Sequence, residues 1–157
     1  MNPLDFSQFI QETFQTKQFI PLHEPVFKGN EKRYLNEVID STFVSSIGEY
    51  VNKFEDRISE FTQVKKSIAV VNGTAGLHMS LKVSGVEPST EVLTQALSFV
   101  ATSNAITYCG AKPIFIDVDL DTMGLSPRFL SRFLETYAEI RENGTFNKKT
   151  EKRISAC

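Results

Sequence analysis

The chain has 157 residues, 41% hydrophobic and 23% charged, with a formal net charge of -2; this is the balance of a globular domain rather than a disordered segment, and without a long basic run it offers no electrostatic footprint for nucleic acid. Two cysteines, Cys109 and Cys157, make no disulfide framework, and His23 and His78 lack partners at metal-ligand spacing, so no metal site is expected. No stretch reaches the ~18 apolar residues of a membrane span, and the first residues lack the charged flank and apolar run of a secretion signal, so the expectation is a cytoplasmic protein.

In chain order, Leu4, Phe6, Phe9, Ile10 and Phe14 fall at helical spacing and predict an amphipathic arm over residues 4–14. Pro21 and Pro25 bias their neighbours towards extended backbone. Asn30 is a candidate N-cap for a helix over residues 31–41, with Tyr34, Leu35, Val38 and Ile39 on one face. Residues 43–48 break the period and read as a loop. A further helix follows, with Val51, Phe54, Ile58 and Phe61 inward.

The pattern changes at Ser67. Residues 67–71 form a short apolar run of the kind that makes a buried parallel strand. Asn72-Gly73-Thr74 is the turn after it, and residues 75–83 read as a helix closed by Gly85. Residues 91–94 are a second strand and residues 99–108 a helix closed by Gly110. Residues 113–117 are a third strand. Ser126-Pro127 opens the next helix, with serine as cap and proline at the first helical position, and it runs to about Ala138. Residues 141–153, including Lys148, Lys149, Lys152 and Arg153, read as a polar, turn-rich loop, and residues 154–157 as the start of a fourth strand. The alternation of strand and helix implies an α/β fold with a parallel sheet and right-handed crossovers. Two regions are expected, residues 1–62 as a helical amino-terminal part and residues 63–157 as part of a larger α/β domain.

The turn after the first expected strand carries the chemistry. A helix begins with N–H groups that have no intrahelical partner, and the helix dipole adds partial positive charge there. Gly73 lets a ligand approach the backbone and Thr74 adds a hydroxyl, so the turn suits an anion such as a phosphate. The residues alone fit equally an ordinary tight turn between strand and helix. There is no Gly-Lys-Ser/Thr of a Walker loop and no Gly-x-Gly-x-x-Gly. Phe99, at the start of the next helix, reads on its own as a core aromatic. Cys109 reads as a small buried hydrophobe, and Asp117 and Asp119 as turn residues.

The run Val71-Asn72-Gly73-Thr74-Ala75-Gly76-Leu77-His78 is followed by Glu91-Val92-Leu93-Thr94-Gln95. Then come Ser98-Phe99-Val100-Ala101-Thr102-Ser103-Asn104-Ala105 and Gly110-Ala111-Lys112-Pro113-Ile114-Phe115-Ile116-Asp117-Val118-Asp119. This ordered series resembles the DegT/StrS family of nucleotide-sugar aminotransferases, over roughly residues 21–127. Leu93-Thr94-Gln95 and Gly124-Leu125-Ser126-Pro127 look most like a branch acting on sugars of the legionaminic-acid kind. The resemblance implies a fold type I, parallel-rich sheet flanked by helices, here ending after the third strand-helix unit. It implies pyridoxal phosphate as cofactor, a keto-sugar nucleotide as substrate, glutamate as amino donor and a homodimeric parent. By position, Gly73, Thr74 and Ala75 match the turn that holds the cofactor phosphate, and Phe99 the aromatic that stacks on the pyridine ring. Ser45, Ser46 and Gly48 match a loop near the sugar substrate, a plain interhelical loop being the competing reading. The family's Schiff-base lysine and the aspartate on the pyridine nitrogen match nothing here. Lys65, Lys66, Lys82 and Lys112 fall at non-catalytic positions, so no catalytic residue is assigned and the chain is expected to be a truncated, inactive portion. The family's first strand pairs with its last, so residues 68–71 are expected to lack a neighbour. The competing function is a non-catalytic module that binds a phosphate-bearing ligand or pairs with a full-length subunit.

Overall fold

The computed structural model describes residues 2–157. The chain divides into two compact units, residues 1–57 and residues 58–157. The first holds α1 (Pro3–Thr13), α2 (Glu31–Asp40) and most of α3 (Glu49–Thr62). Asn2 caps α1, its Oδ1 accepting the Leu4 N–H at 3.1 Å. Asn30 stands at the expected cap position of α2, but its side chain makes no capping bond. The Glu31 carboxylate instead takes the Gly29 N–H at 2.9 Å. None of these three helices has a buried residue. Tyr34 of α2 and Tyr50 of α3 meet with ring centroids 5.2 Å apart. The Tyr50 hydroxyl donates to the Glu37 carboxylate, which also accepts from Arg33 at 3.1 Å.

The second unit holds the sheet. Its strands are β1 (Glu91–Gln95), β2 (Lys112–Ile116), β3 (Ala138–Arg141), β4 (Gly144–Asn147) and β5 (Arg153–Ala156), in the order β2-β1-β5-β4-β3. β2, β1 and β5 run parallel, while β3, β4 and β5 are joined antiparallel. The helices are α4 (Gly73–Val83), α5 (Val100–Tyr108) and α6 (Pro127–Tyr137). The α/β class with flanking helices is therefore the observed one, but the sheet is mixed rather than parallel-rich, because the β3–β4 hairpin adds two antiparallel pairings to the two parallel ones.

Two expected elements differ. Residues 67–71 form no strand, and Ile68, Val70 and Val71 remain exposed. An apolar run becomes a strand only where a neighbour takes its N–H and C=O groups, and no strand of the sheet lies beside it. The polar stretch read as a loop is in part the β3–β4 hairpin. Its alternation is weak, and two glutamates on the hairpin and its return, Glu139 and Glu151, pair with Arg141 at 2.8 and 2.7 Å. The expected fourth strand is β5, which lies beside β1.

The core is Val86, Val92, Ile106, Cys109 and Ala111, with Leu81 and Ala156 against it. Cys109 is thus the buried small hydrophobe its setting implied. Gly110, at φ +74°, ends α5; a Cβ there would lie 3.1 Å from the Pro88 side chain and 3.2 Å from its Cα, so only glycine fits. Ser126 caps α6 as expected, its Oγ accepting the Phe129 N–H at 3.3 Å. The carboxylate of Glu91 is wholly buried in β1, an interior strand. Its Oε2 accepts from the Asn147 amide at 2.8 Å, tying β1 to the end of the hairpin, and its Oε1 has no partner.

Asn147→Ala strips the remaining donor from this buried carboxyl group and should lower unfolding free energy by ~2 kcal/mol. Glu91→Gln keeps an acceptor for Asn147 and should cost less, both read by denaturant titration. In the first unit, the Tyr50 hydroxyl bond holds the Glu37 carboxyl below its ordinary value of 4.5 and raises the Tyr50 phenol above its ordinary 10.0. A depressed carboxyl contributes above its unfolded value and loses that contribution as pH falls through its folded value. A raised phenol contributes below its unfolded value and loses that as pH climbs through its folded one. The α2–α3 contact should therefore weaken below about pH 4.5 and above about pH 10. Tyr50→Phe should flatten both arms of a pH–stability profile.

Candidate functional site

The start of α4 is built by its cap. Asn72 has extended backbone, φ -164° and ψ 170°, and its Oδ1 accepts the Ala75 N–H at 2.9 Å. Its carbonyl oxygen accepts the Gly76 N–H at 3.1 Å. This leaves the N–H groups of Gly73 and Thr74 at the helix end without an acceptor among the described residues. The space beside them is open: a Cβ placed on Gly73 would meet nothing within 4 Å. Thr74 is half-buried and adds its hydroxyl to the same turn. Deeper in the helix, Gly76 lies against Val70, whose Cγ2 would be 3.2 Å from an added Cβ. The small residue thus lets the segment leading into the turn approach α4 closely.

Two free N–H donors, a hydroxyl and the positive end of an 11-residue helix are the groups that an anion-binding turn requires. Gly73 and Thr74 contribute donors directly. Ala75 is in the turn, but its N–H is held by Asn72, so it could donate to an anion only if that carboxamide yields.

Phe99 is the N-cap residue of α5 and is 80% exposed. It follows the carboxyl end of β1, the side of an open α/β sheet where ligands gather. The core reading of this aromatic is therefore excluded within this chain. Beside it, Ser98 Oγ and Thr102 Oγ1 are 3.2 Å apart, a pair of hydroxyls that serine and threonine four residues apart on a helix start could have signalled. α4 and α5 pack together, with His78 against the Tyr108 ring at 5.8 Å between centroids. His78 thus makes a packing contact. Asp117 closes a local turn, its Oδ1 accepting the Val118 N–H at 2.9 Å.

Ser45, Ser46 and Gly48 belong to the first unit, in the loop between α2 and α3. Ser45 and Gly48 line an open groove of about 560 Å³ with Glu37, Phe43 and Tyr50, whereas Ser46 is exposed and outside that lining. Among the described residues no group of three or more His, Cys, Asp or Glu could hold a metal, and no helix is long and apolar enough to cross a membrane.

Residues 25–139 match the model of the DegT/DnrJ/EryC1/StrS aminotransferase family. The chain belongs to that family. GDP-perosamine synthase of Escherichia coli O157:H7 is 42% identical over 109 residues, covering 69% of this chain and 30% of the relative. EpsN of Bacillus subtilis strain 168, whose name describes a pyridoxal phosphate-dependent aminotransferase, is 40% identical over 129 residues, covering 82% and 32%. Among solved structures, a Streptococcus pneumoniae protein named as a sugar aminotransferase, in its PMP form, superposes with TM-score 0.62 at 28% identity, covering 73% of this chain and 29% of that one. The chain thus spans about three tenths of the length of the relatives it matches.

The family is pyridoxal phosphate-dependent, and the turn fits the phosphate of that cofactor. The two free N–H groups, the Thr74 hydroxyl and the open space at Gly73 are the donor set and room that a phosphate dianion needs. Asn72→Ala removes the cap and should cost ~1 kcal/mol of stability. Asn72→Asp keeps a capping oxygen and should cost less than half of that, both measured by denaturant unfolding.

Proposed function

We propose that this chain carries the phosphate-holding part of a pyridoxal phosphate-dependent aminotransferase acting on a keto-sugar nucleotide. Glutamate is the proposed amino donor, and the parent enzyme is proposed to be a cytoplasmic homodimer. The observation that carries the reading is the pair of unpaired N–H groups at Gly73 and Thr74 beside open space. When bound, pyridoxal phosphate supplies the electron sink through which an amino group passes from amino acid to sugar. The chain's own residues bind and orient. Gly73 and Thr74 donate to the phosphate, with Ala75 completing the turn, and the Asn72 cap keeps those donors aimed outward. The exposed Phe99 ring offers a flat face for the pyridine ring, worth ~1 kcal/mol beyond the area it covers. Ser45, Ser46 and Gly48 are proposed to face the sugar. The legionaminic-type branch stays a proposal on the sequence blocks above; the matched GDP-perosamine synthase supports only a nucleotide-linked sugar.

One observation favours a non-catalytic role for the 157-residue chain by itself. Lys82 sits in the last turn of α4, roughly 12 Å along the axis from Thr74 at ~1.5 Å per residue. Lys112 opens β2 at its amino end, and Lys65 and Lys66 precede the segment that leads into the turn. Lys82 and Lys112 stand at the ends of their elements away from the cup, and no lysine belongs to the turn itself. The chain is therefore a phosphate-ligand-binding or subunit-pairing piece until a lysine is supplied.

Incubated with pyridoxal phosphate, glutamate and a keto-sugar nucleotide, the purified chain should form no amino sugar; time-dependent product that requires the cofactor would contradict this. It should bind pyridoxal phosphate more tightly than pyridoxal. Asn72→Asp should weaken that binding by about tenfold through like-charge repulsion, and Thr74→Val by about fivefold through the lost hydroxyl. Equal affinity for pyridoxal, or unchanged affinity in both variants, would sink the phosphate assignment.

A further inference from the structure

The chain contains the dipeptide Asn-Gly twice, at Asn72-Gly73 and at Asn143-Gly144. Both asparagines are exposed, so access to water does not separate them. Their restraints do. The Asn72 carboxamide is fastened to the Ala75 N–H at 2.9 Å, its backbone is extended at ψ 170°, and Gly73 is the first residue of α4. The Asn143 carboxamide has no hydrogen-bond partner among the described residues, and its residue lies in the two-residue loop between Arg141 and Gly144, which face each other across the hairpin. Gly144 is at φ +127°, with the Arg153 side chain at ordinary contact distance, 3.5 Å, from where a Cβ would stand, and no side chain of its own flanks its nitrogen.

We propose that Asn143 is a site of spontaneous, succinimide-mediated deamidation, and that the cap which shapes the phosphate turn protects Asn72 from the same reaction. The step needs only water and hydroxide. The Gly144 backbone nitrogen loses its proton to solvent base and attacks Asn143 Cγ. The new N–Cγ bond forms, the Cγ–Nδ2 bond breaks, and the departing nitrogen takes a proton from water and leaves as ammonia. Water then opens either carbonyl of the five-membered ring, giving aspartate or isoaspartate. The attack requires the chain to rotate about ψ and χ1 of the asparagine until nitrogen meets Cγ. At Asn143 the two-residue loop must move and the terminal Arg141–Gly144 pair of the hairpin must open. At Asn72 the cap must break and the first turn of α4 must open, and such local openings are the slow, costly event. The product at Asn143 places a new carboxylate beside Glu142 and close in sequence to Arg141, which already serves Glu139 and Glu151. The same product at Asn72 would set a negative charge in the anion turn.

The folded 157-residue chain would be incubated in ammonia-free buffer at neutral and mildly alkaline pH, with a parallel sample in guanidinium. Each Asn-Gly peptide would be followed by mass spectrometry, and isoaspartate counted. In the folded chain Asn143 should convert at least roughly tenfold faster than Asn72, faster at the higher pH, with both aspartate and isoaspartate formed. In guanidinium the two rates should converge. Equal rates in the folded chain, or an Asn143 that stays intact when folded but converts in guanidinium, would overturn the proposal.

Discussion

Burial of β1 is the constraint on which the second unit depends. Four successive residues, Glu91 to Thr94, are buried, because β2 flanks the strand on one side and β5 on the other while α4 and α5 share the core beneath it. A strand enclosed in this way takes its backbone partners from its neighbours: β2 pairs parallel along all of β1, and β5 pairs parallel with Glu91 and Val92, with a shift of register between them. The carboxyl end of β1 then delivers the chain to Phe99, and the packing of α4 on α5 sets the turn at Asn72 in the same unit. The cup is a by-product of a helix start that the core holds in place.

That arrangement explains how a weak motif comes to present free donors. Asn-Gly-Thr-Ala is an unremarkable turn until its cap is formed. Once Asn72 takes the Ala75 N–H, the remaining orphan donors are those of Gly73 and Thr74, and the helix dipole acts on the same spot. Glycine at the first position keeps the space open. The one side chain therefore fixes the helix, selects the donors and restrains its own chemistry. Phe99 gains its meaning the same way: an aromatic ring left exposed on a helix start has no role in this core.

The helices were legible because each carries local instructions. Ser126-Pro127 announced α6, Gly85 ended α4 and Gly110 ended α5, and all three act within a few residues of themselves. The strands divided. β1 and β2 are apolar runs whose partners are present, so pattern and outcome agree. Residues 67–71 carry the same pattern, but a strand is a property of two segments, and pairing cannot be read from one. The β3–β4 hairpin escaped notice for the opposite reason: its residues are polar, and its register rests on the antiparallel pairing, with the buried Asn147–Glu91 bond fastening its end across a separation of 56 residues. In the site, Gly73 and Thr74 were legible from helix-end physics. The engagement of the Ala75 N–H was not, because the turn alone does not say which donor its own cap will claim.

The central claim is that the Gly73 and Thr74 amides hold a cofactor phosphate. Amide NMR shifts of the ¹⁵N-labelled chain, followed as pyridoxal phosphate is added and compared with pyridoxal, test it most directly. The account predicts saturable shifts largest at the Gly73 and Thr74 amides with pyridoxal phosphate, and none there with pyridoxal. Shifts centred elsewhere in the chain, or equal responses to the two compounds, would contradict it.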